Sequence, residues 1–127
     1  MKTLNLLARI IPAIIMLQTL FFKFSAAPES VYIFSSVGLE PWGRIGTGVL
    51  ELLASFLLLL NRQAFWGAIL GIGLMIGAIF THLLILGIEV MDDRGQLFYM
   101  ALVALIGCIY TLYQTRSTLK VFIYTML

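Results

Sequence analysis

Apolar positions in this chain come in long unbroken blocks, punctuated by single charges. Between Lys2 and Lys23 lie 20 residues with one charge, Arg9, and between Arg44 and Arg62 lie 17 with one charge, Glu51. The 26 residues between Arg62 and Glu89 carry none apart from His82, and the 21 between Arg94 and Arg116 carry none at all. A spanning helix needs about 20 apolar residues. The blocks therefore predict transmembrane helices over roughly 4–24, 43–61, 64–88 and 95–116. Lipid offers the backbone no hydrogen bonds, so each segment must satisfy its own, as a helix does. A transmembrane barrel would alternate apolar and polar residues, and Phe56-Leu57-Leu58-Leu59-Leu60 does not. The expected fold is an all-α integral membrane four-helix bundle, one domain over residues 1–127.

The connections add detail. Pro28 suits the first turn of a helix and Glu29 its positive end. Gly38 can end that helix and Pro41 prevents its continuation. Val31, Phe34 and Val37 recur every three residues, with Ile33 close by. Residues 28–38 thus read as a short interfacial helix between spans one and two, lying on the bilayer or capping the bundle. Trp42 marks the interface where the second span begins. Arg62 and Trp66 flank a turn of a few residues, which makes the second and third spans an antiparallel hairpin. The tail over 117–127 is apolar in part, too short to span, and extends the last helix or lies along the membrane. Lys2, an apolar stretch and Ser25-Ala26-Ala27 imitate a signal peptide, but Arg9 within the stretch and Lys23 before the supposed cleavage point favour a retained helix.

Composition narrows the function. Hydrophobic residues make up 61% of the 127 and charged residues 11%, against about half and a quarter in a soluble domain. That excludes a soluble enzyme and a disordered tail. A net charge of +2 does not suggest a nucleic-acid partner. One cysteine, Cys108, and one histidine, His82, leave no internal disulfide, no CxxC and no histidine pair for haem or metal. No metal site and no nucleophile constellation is expected. Lys2, Arg9, Arg62, Arg116 and Lys120 fall on one side, whereas the other mixes Lys23, Arg44 and Arg94 with acids. Both termini are therefore expected to be cytoplasmic.

Glu51 is the most informative residue. It lies eight residues into the second span, roughly 12 Å below the outer surface at helical rise. A charge near the bilayer centre costs about 3 kcal/mol or more, so Glu51 must be paired, protonated or beside a wet cavity. Arg44, Gly48, Glu51 and Ser55 share one helix face. Lys23 ends the first span with Thr19 one turn below, while Gln18 falls nearly on the opposite side. His82 lies near the outer end of the third span, with Glu89 on the same face if the helix persists. Lys23, Arg44, Glu51 and His82 are expected to meet in an outward-opening polar pocket that takes a ligand or a proton. The structural alternative is that Glu51 pairs with Lys23 or Arg44 and only fixes helix docking. Arg9, at the other end, is expected to snorkel to the cytoplasmic surface. Gly67/Gly71 and Gly73/Gly77/Thr81 read as close-packing positions, Cys108 as packing, and Glu89 with Asp92-Asp93 as a solvated acidic loop.

At these residues the chain resembles the DoxX family of small bacterial membrane proteins. The matching stretches are Gln18-Thr19-Leu20-Phe21-Phe22-Lys23-Phe24, Ser35-Ser36-Val37-Gly38-Leu39-Glu40-Pro41, Val49-Leu50-Glu51-Leu52-Leu53-Ala54-Ser55, and a Gly-rich third span ending in Thr81-His82-Leu83. They lie within roughly residues 8–116. The family commonly has glycines soon after the glutamate, where this chain has Ala54-Ser55. The resemblance implies a four-helix bundle in the bacterial inner membrane, with Lys23, Glu51 and His82 at the positions of the family's polar motif. It also implies association with thiosulfate:quinone oxidoreduction as a subunit, or with membrane complexes that handle thiol or oxidative stress; related animal proteins look like assembly chaperones for membrane receptors.

Three functions are therefore in view. The first is an accessory subunit of a membrane redox complex, working with a membrane redox partner protein or as a homo-oligomer. Its pocket would take a quinone or another small amphipathic ligand, with no covalently bound cofactor. The second is a small proton-coupled transporter using Glu51, although small multidrug exporters carry their acid in the first helix. The third is a membrane assembly protein with no ligand.

Overall fold

The computed structural model describes residues 2–91 and 93–126. Its helices are α1 (Lys2–Phe24), α2 (Pro28–Ser36), α3 (Trp42–Leu59), α4 (Ala64–Thr81), α5 (Gln96–Gln114) and α6 (Ser117–Met126). A π-helical turn, His82–Leu86, continues α4. Four runs are long and apolar enough to cross a membrane: Lys2–Phe24, Trp42–Leu59, Ala64–Leu86 and Gln96–Gln114. No strand occurs among the described residues. The expected all-α four-helix bundle is what the chain forms.

Around the bundle the order is α1, α3, α4, α5, each helix packed on its two neighbours. The core is made of small and flexible side chains: Ala13, Met16, Ala54, Leu58, Ala68, Met75, Ala101, Ala104 and Cys108. Large apolar side chains such as Leu17, Phe21, Phe56, Ile69 and Ile106 face outward. That inversion suits lipid, which solvates leucine as well as the protein interior does, so association relies on close approach of small residues.

Closest approach occurs towards the end that holds the start of α1 and the α3–α4 turn. A Cβ on Gly67 would meet the Leu58 backbone nitrogen at 2.6 Å, and one on Gly107 would meet Pro12 Cγ at 2.5 Å. Pro12 lacks the N–H that would bond the Ala8 carbonyl; the Thr111 hydroxyl donates to that carbonyl instead, at 3.2 Å. The tail does not extend α5. It forms a separate helix tied back by Phe122, whose ring meets that of Trp66 edge-on with centroids 5.3 Å apart.

The opposite end is looser. Gly38, at φ +75°, follows α2, and α2 is two residues shorter than the expected 28–38. The third span ends earlier than expected, at Leu86, because Gly87 adopts φ +80°. Its N–H donates back to the His82 carbonyl at 2.6 Å in the i→i−5 pattern of a π-turn. Glu89 therefore lies in the exposed loop and not on a helical face with His82, as a persistent helix would have required.

Candidate functional site

At this looser end the four spans, roofed by α2, enclose a cavity of about 490 Å³. Lys23, Glu51 and His82 line it; Arg44 does not. Glu51 is almost fully buried, and its Oε1 lies 2.9 Å from Lys23 Nζ. Its Oε2 lies 2.9 Å from the Thr19 hydroxyl, which is also 2.9 Å from the Met16 carbonyl. One hydroxyl proton serves one acceptor at a time, and the bond to a carboxylate is the stronger. Both Glu51 oxygens thus have donors from α1. One turn below, the Ser55 hydroxyl donates to the Glu51 carbonyl at 2.8 Å. The acid is therefore neither exposed to lipid nor unpartnered.

Arg44 shares the buried face of Gly48, Glu51 and Ser55, as the spacing predicts, yet its partner is different. Arg44 Nε donates to Glu40 Oε1 at 2.8 Å, and Nη1 donates to the Lys23 carbonyl. It satisfies one of the carbonyls that the last turn of α1 leaves unpaired, and so holds the backbone under Lys23. The Glu40–Arg44 spacing of four was visible in the sequence, but Glu40 lies in the turn that precedes α3 and not on the helix itself. Gly48 makes room for α1 as well, since a Cβ there would lie 2.7 Å from Phe24 Cε1.

His82 is buried where α4 changes to π-geometry. Its Nδ1 is 3.0 Å from the Gly87 carbonyl. A carbonyl only accepts, so Nδ1 carries the proton and Nε2 is the acceptor in the neutral ring. Phe98 packs edge-on to it, centroids 5.6 Å apart. Asp93, which also lines the cavity, is a cap as well as a loop acid. Its Oδ1 accepts from the N–H groups of Val90 at 3.0 Å and Gly95 at 2.8 Å, and its Oδ2 from that of Leu97 at 3.2 Å. Burial pushes the Asp93 carboxyl up, but those three donors and the nearby His82 outweigh it and hold the group below its ordinary value of 3.8. A solvated acidic loop describes Glu89 but not the cap formed by Asp93; Asp92 lies outside the described residues.

Two further expectations change. Gln18 lines the cavity with Thr19 and is not turned away from it. Gly73 and Gly77 do not pack: a Cβ on either would meet nothing within 4 Å, and both, with Thr81, line the cavity. Their four-residue spacing reads the same whether the missing side chains admit another helix or leave room for a ligand. Gly67 and Gly71 are the packing pair; a Cβ on Gly71 would lie 2.7 Å from Cys108 Sγ.

Among the described residues no group of three or more His, Cys, Asp or Glu is arranged to hold a metal ion. Chemically, the site offers an ammonium, a carboxamide and an imidazole near a paired carboxylate, with apolar walls that include Phe22, Ile33 and Met75. That combination recognises a small amphipathic molecule with hydrogen-bonding polar atoms. Among known proteins, the DoxX family model matches residues 4–84, which is more than half the chain and includes Lys23, Glu51 and His82. No curated protein and no solved structure matches the chain.

Proposed function

Since the chain belongs to the DoxX family of membrane proteins, we propose that it serves as an accessory subunit of a redox complex in the bacterial inner membrane, its cavity holding a quinone-like or other small amphipathic ligand. The observation that carries this reading is a polar cavity with a sheltered Lys23–Glu51 pair at membrane depth. Its volume falls within the roughly 300–1,000 Å³ of small-molecule sites. The residues fit a planar carbonyl head group: Lys23 and the Gln18 amide can donate to its oxygens, His82 Nε2 can accept from a hydroxyl, and the apolar walls take the ring and the first part of a tail. A quinone, when bound, supplies an exchange of electrons and protons that this chain's own residues do not. Glu51 holds Lys23 in position, and Arg44 anchors the backbone that carries Lys23.

Both termini are cytoplasmic in this reading, because Lys2, Arg9, Arg62, Arg116 and Lys120 gather at that end. The cavity then belongs to the outer half of the bilayer. Lys23 favours a ligand site over a proton-coupled exporter, since a carboxylate with its own ammonium at 2.9 Å has less to gain from exchanging a proton for a cationic substrate.

The test is mass spectrometry of molecules retained by the purified protein. Glu51→Gln is expected to lower retention of a quinone-class molecule at least fivefold while the bundle stays folded. Equal retention in variant and parent, or no retained amphipathic molecule in either, would overturn the reading and leave a membrane assembly protein.

A further inference from the structure

A second cleft, of about 400 Å³, lies at the opposite end of the bundle, where α1 begins and α5 ends. It is lined by Lys2, Asn5, Arg9, Asn61, Gln114 and Thr115, with no acid among the described residues of its walls. Every Asp and Glu of the chain falls between Glu29 and Asp93 in the sequence. Lys2 and Arg9 are seven residues apart, two helical turns, so they stand on one face of α1 about 10 Å apart along the axis, with Asn5 between them. Among the described residues neither cation is within ion-pair distance of an acid.

The polar neighbours present donors. Gln114 Nε2 donates to the Tyr110 hydroxyl at 3.4 Å, and that hydroxyl donates to Asn5 Oδ1 at 2.9 Å. The chain of bonds engages the one acceptor atom of the Asn5 side chain and leaves its amino group to donate. The cleft therefore gathers an ammonium, a guanidinium and a carboxamide N–H, and no described residue of its walls is an acid. Guanidinium and ammonium together recognise phosphate.

We propose that this cleft binds a phosphate group, and that the phosphate is the phosphodiester of an anionic phospholipid in the adjoining leaflet. Lipid is favoured over free phosphate by what flanks the cleft: Leu4, Leu6 and Leu7 on the same turns of α1 are exposed apolar residues suited to acyl chains. Basic pockets between spanning helices on the cytoplasmic side are a recurrent setting for such head groups. Arg9, half-buried and seven residues into α1, thereby gains a counter-charge that no described residue provides.

The experiment is native mass spectrometry of the full chain in detergent with added phosphatidylglycerol or phosphatidylcholine. Phosphatidylglycerol is expected to be retained at least tenfold better. The double variant Lys2→Gln/Arg9→Gln is expected to abolish that preference, whereas Arg116→Gln/Lys120→Gln, outside the cleft, changes it less than twofold. Asn61→Asp, an exposed position that adds a carboxylate to the cleft, is expected to weaken retention about tenfold and serves if the double variant does not fold. Equal retention of the two lipids, or equal loss in both double variants, would overturn the site. Displacement of the lipid by millimolar inorganic phosphate would overturn the lipid assignment in favour of a soluble anion.

Discussion

The two ends of this bundle handle charge in opposite ways. At the cavity end, charges find partners inside the protein: Lys23 with Glu51, Arg44 with Glu40 Oε1, and the half-buried Asp93 with three backbone donors and His82 nearby. At the other end Lys2 and Arg9 line a cleft without an acid. Packing differs in parallel. Gly67 and Gly107 admit a neighbouring helix at the terminal end, whereas Gly73 and Gly77 face open cavity. The lesson is that a spanning bundle can be sealed by small residues at one end and still keep a polar chamber at the other. The chamber is sustainable because its buried carboxylate, Glu51, is paired with Lys23 inside it.

The largest expected effect comes from unbalancing the chamber. Lys23→Met leaves the Glu51 carboxylate buried with the Thr19 hydroxyl alone, and is expected to cost about 3–5 kcal/mol. The double variant Lys23→Met/Glu51→Leu should recover most of that. Thermal unfolding in detergent, followed by circular dichroism, checks both; an equally stable single variant would mean that the pair carries no buried charge. A middle-sized contrast probes packing. Gly67→Ala drives a methyl into the backbone of α3 and is expected to cost about 1–3 kcal/mol, while Gly77→Ala, with open space around its Cβ, should stay within about 1 kcal/mol of the parent. Equal costs would erase the difference between the ends.

The smallest effect is confined to acid pH. The Asp93 carboxyl is held below its ordinary 3.8, so its contribution is whole above that value and is lost as pH falls through the lower folded-state value. Asp93→Asn should therefore be less stable than the parent at neutral pH, with the gap narrowing as pH drops below about 4. A gap independent of pH would show that the cap acts without its charge.

Much of the site was legible before any coordinates. Glu51 stood out because an acid eight residues into an apolar span demands a partner, and Lys23 and Arg44 were the two cations offered. Arg44 shows where that reasoning stops. It shares the Glu51 face, but Glu40, four residues earlier in the turn before α3, takes it first. His82 lies near the end of the third span, as expected, yet the π-turn that holds it depends on Gly87 ending the helix, and a hydropathy block gives no sign of that. The glycines of α4 were legible as small residues and illegible as packing or cavity.

The sequence alone determined the number of spans, the hairpin at Arg62–Trp66 and the place of each charged residue along its span, because the free energy of placing charges and backbone in lipid is large and acts along one dimension. Only tertiary structure decided which donor met which acceptor, and whether a missing side chain became a contact or a space. Those outcomes depend on helix rotation and separation at the scale of a single methyl group, and a period of 3.6 along the chain carries no information about the neighbour across the gap.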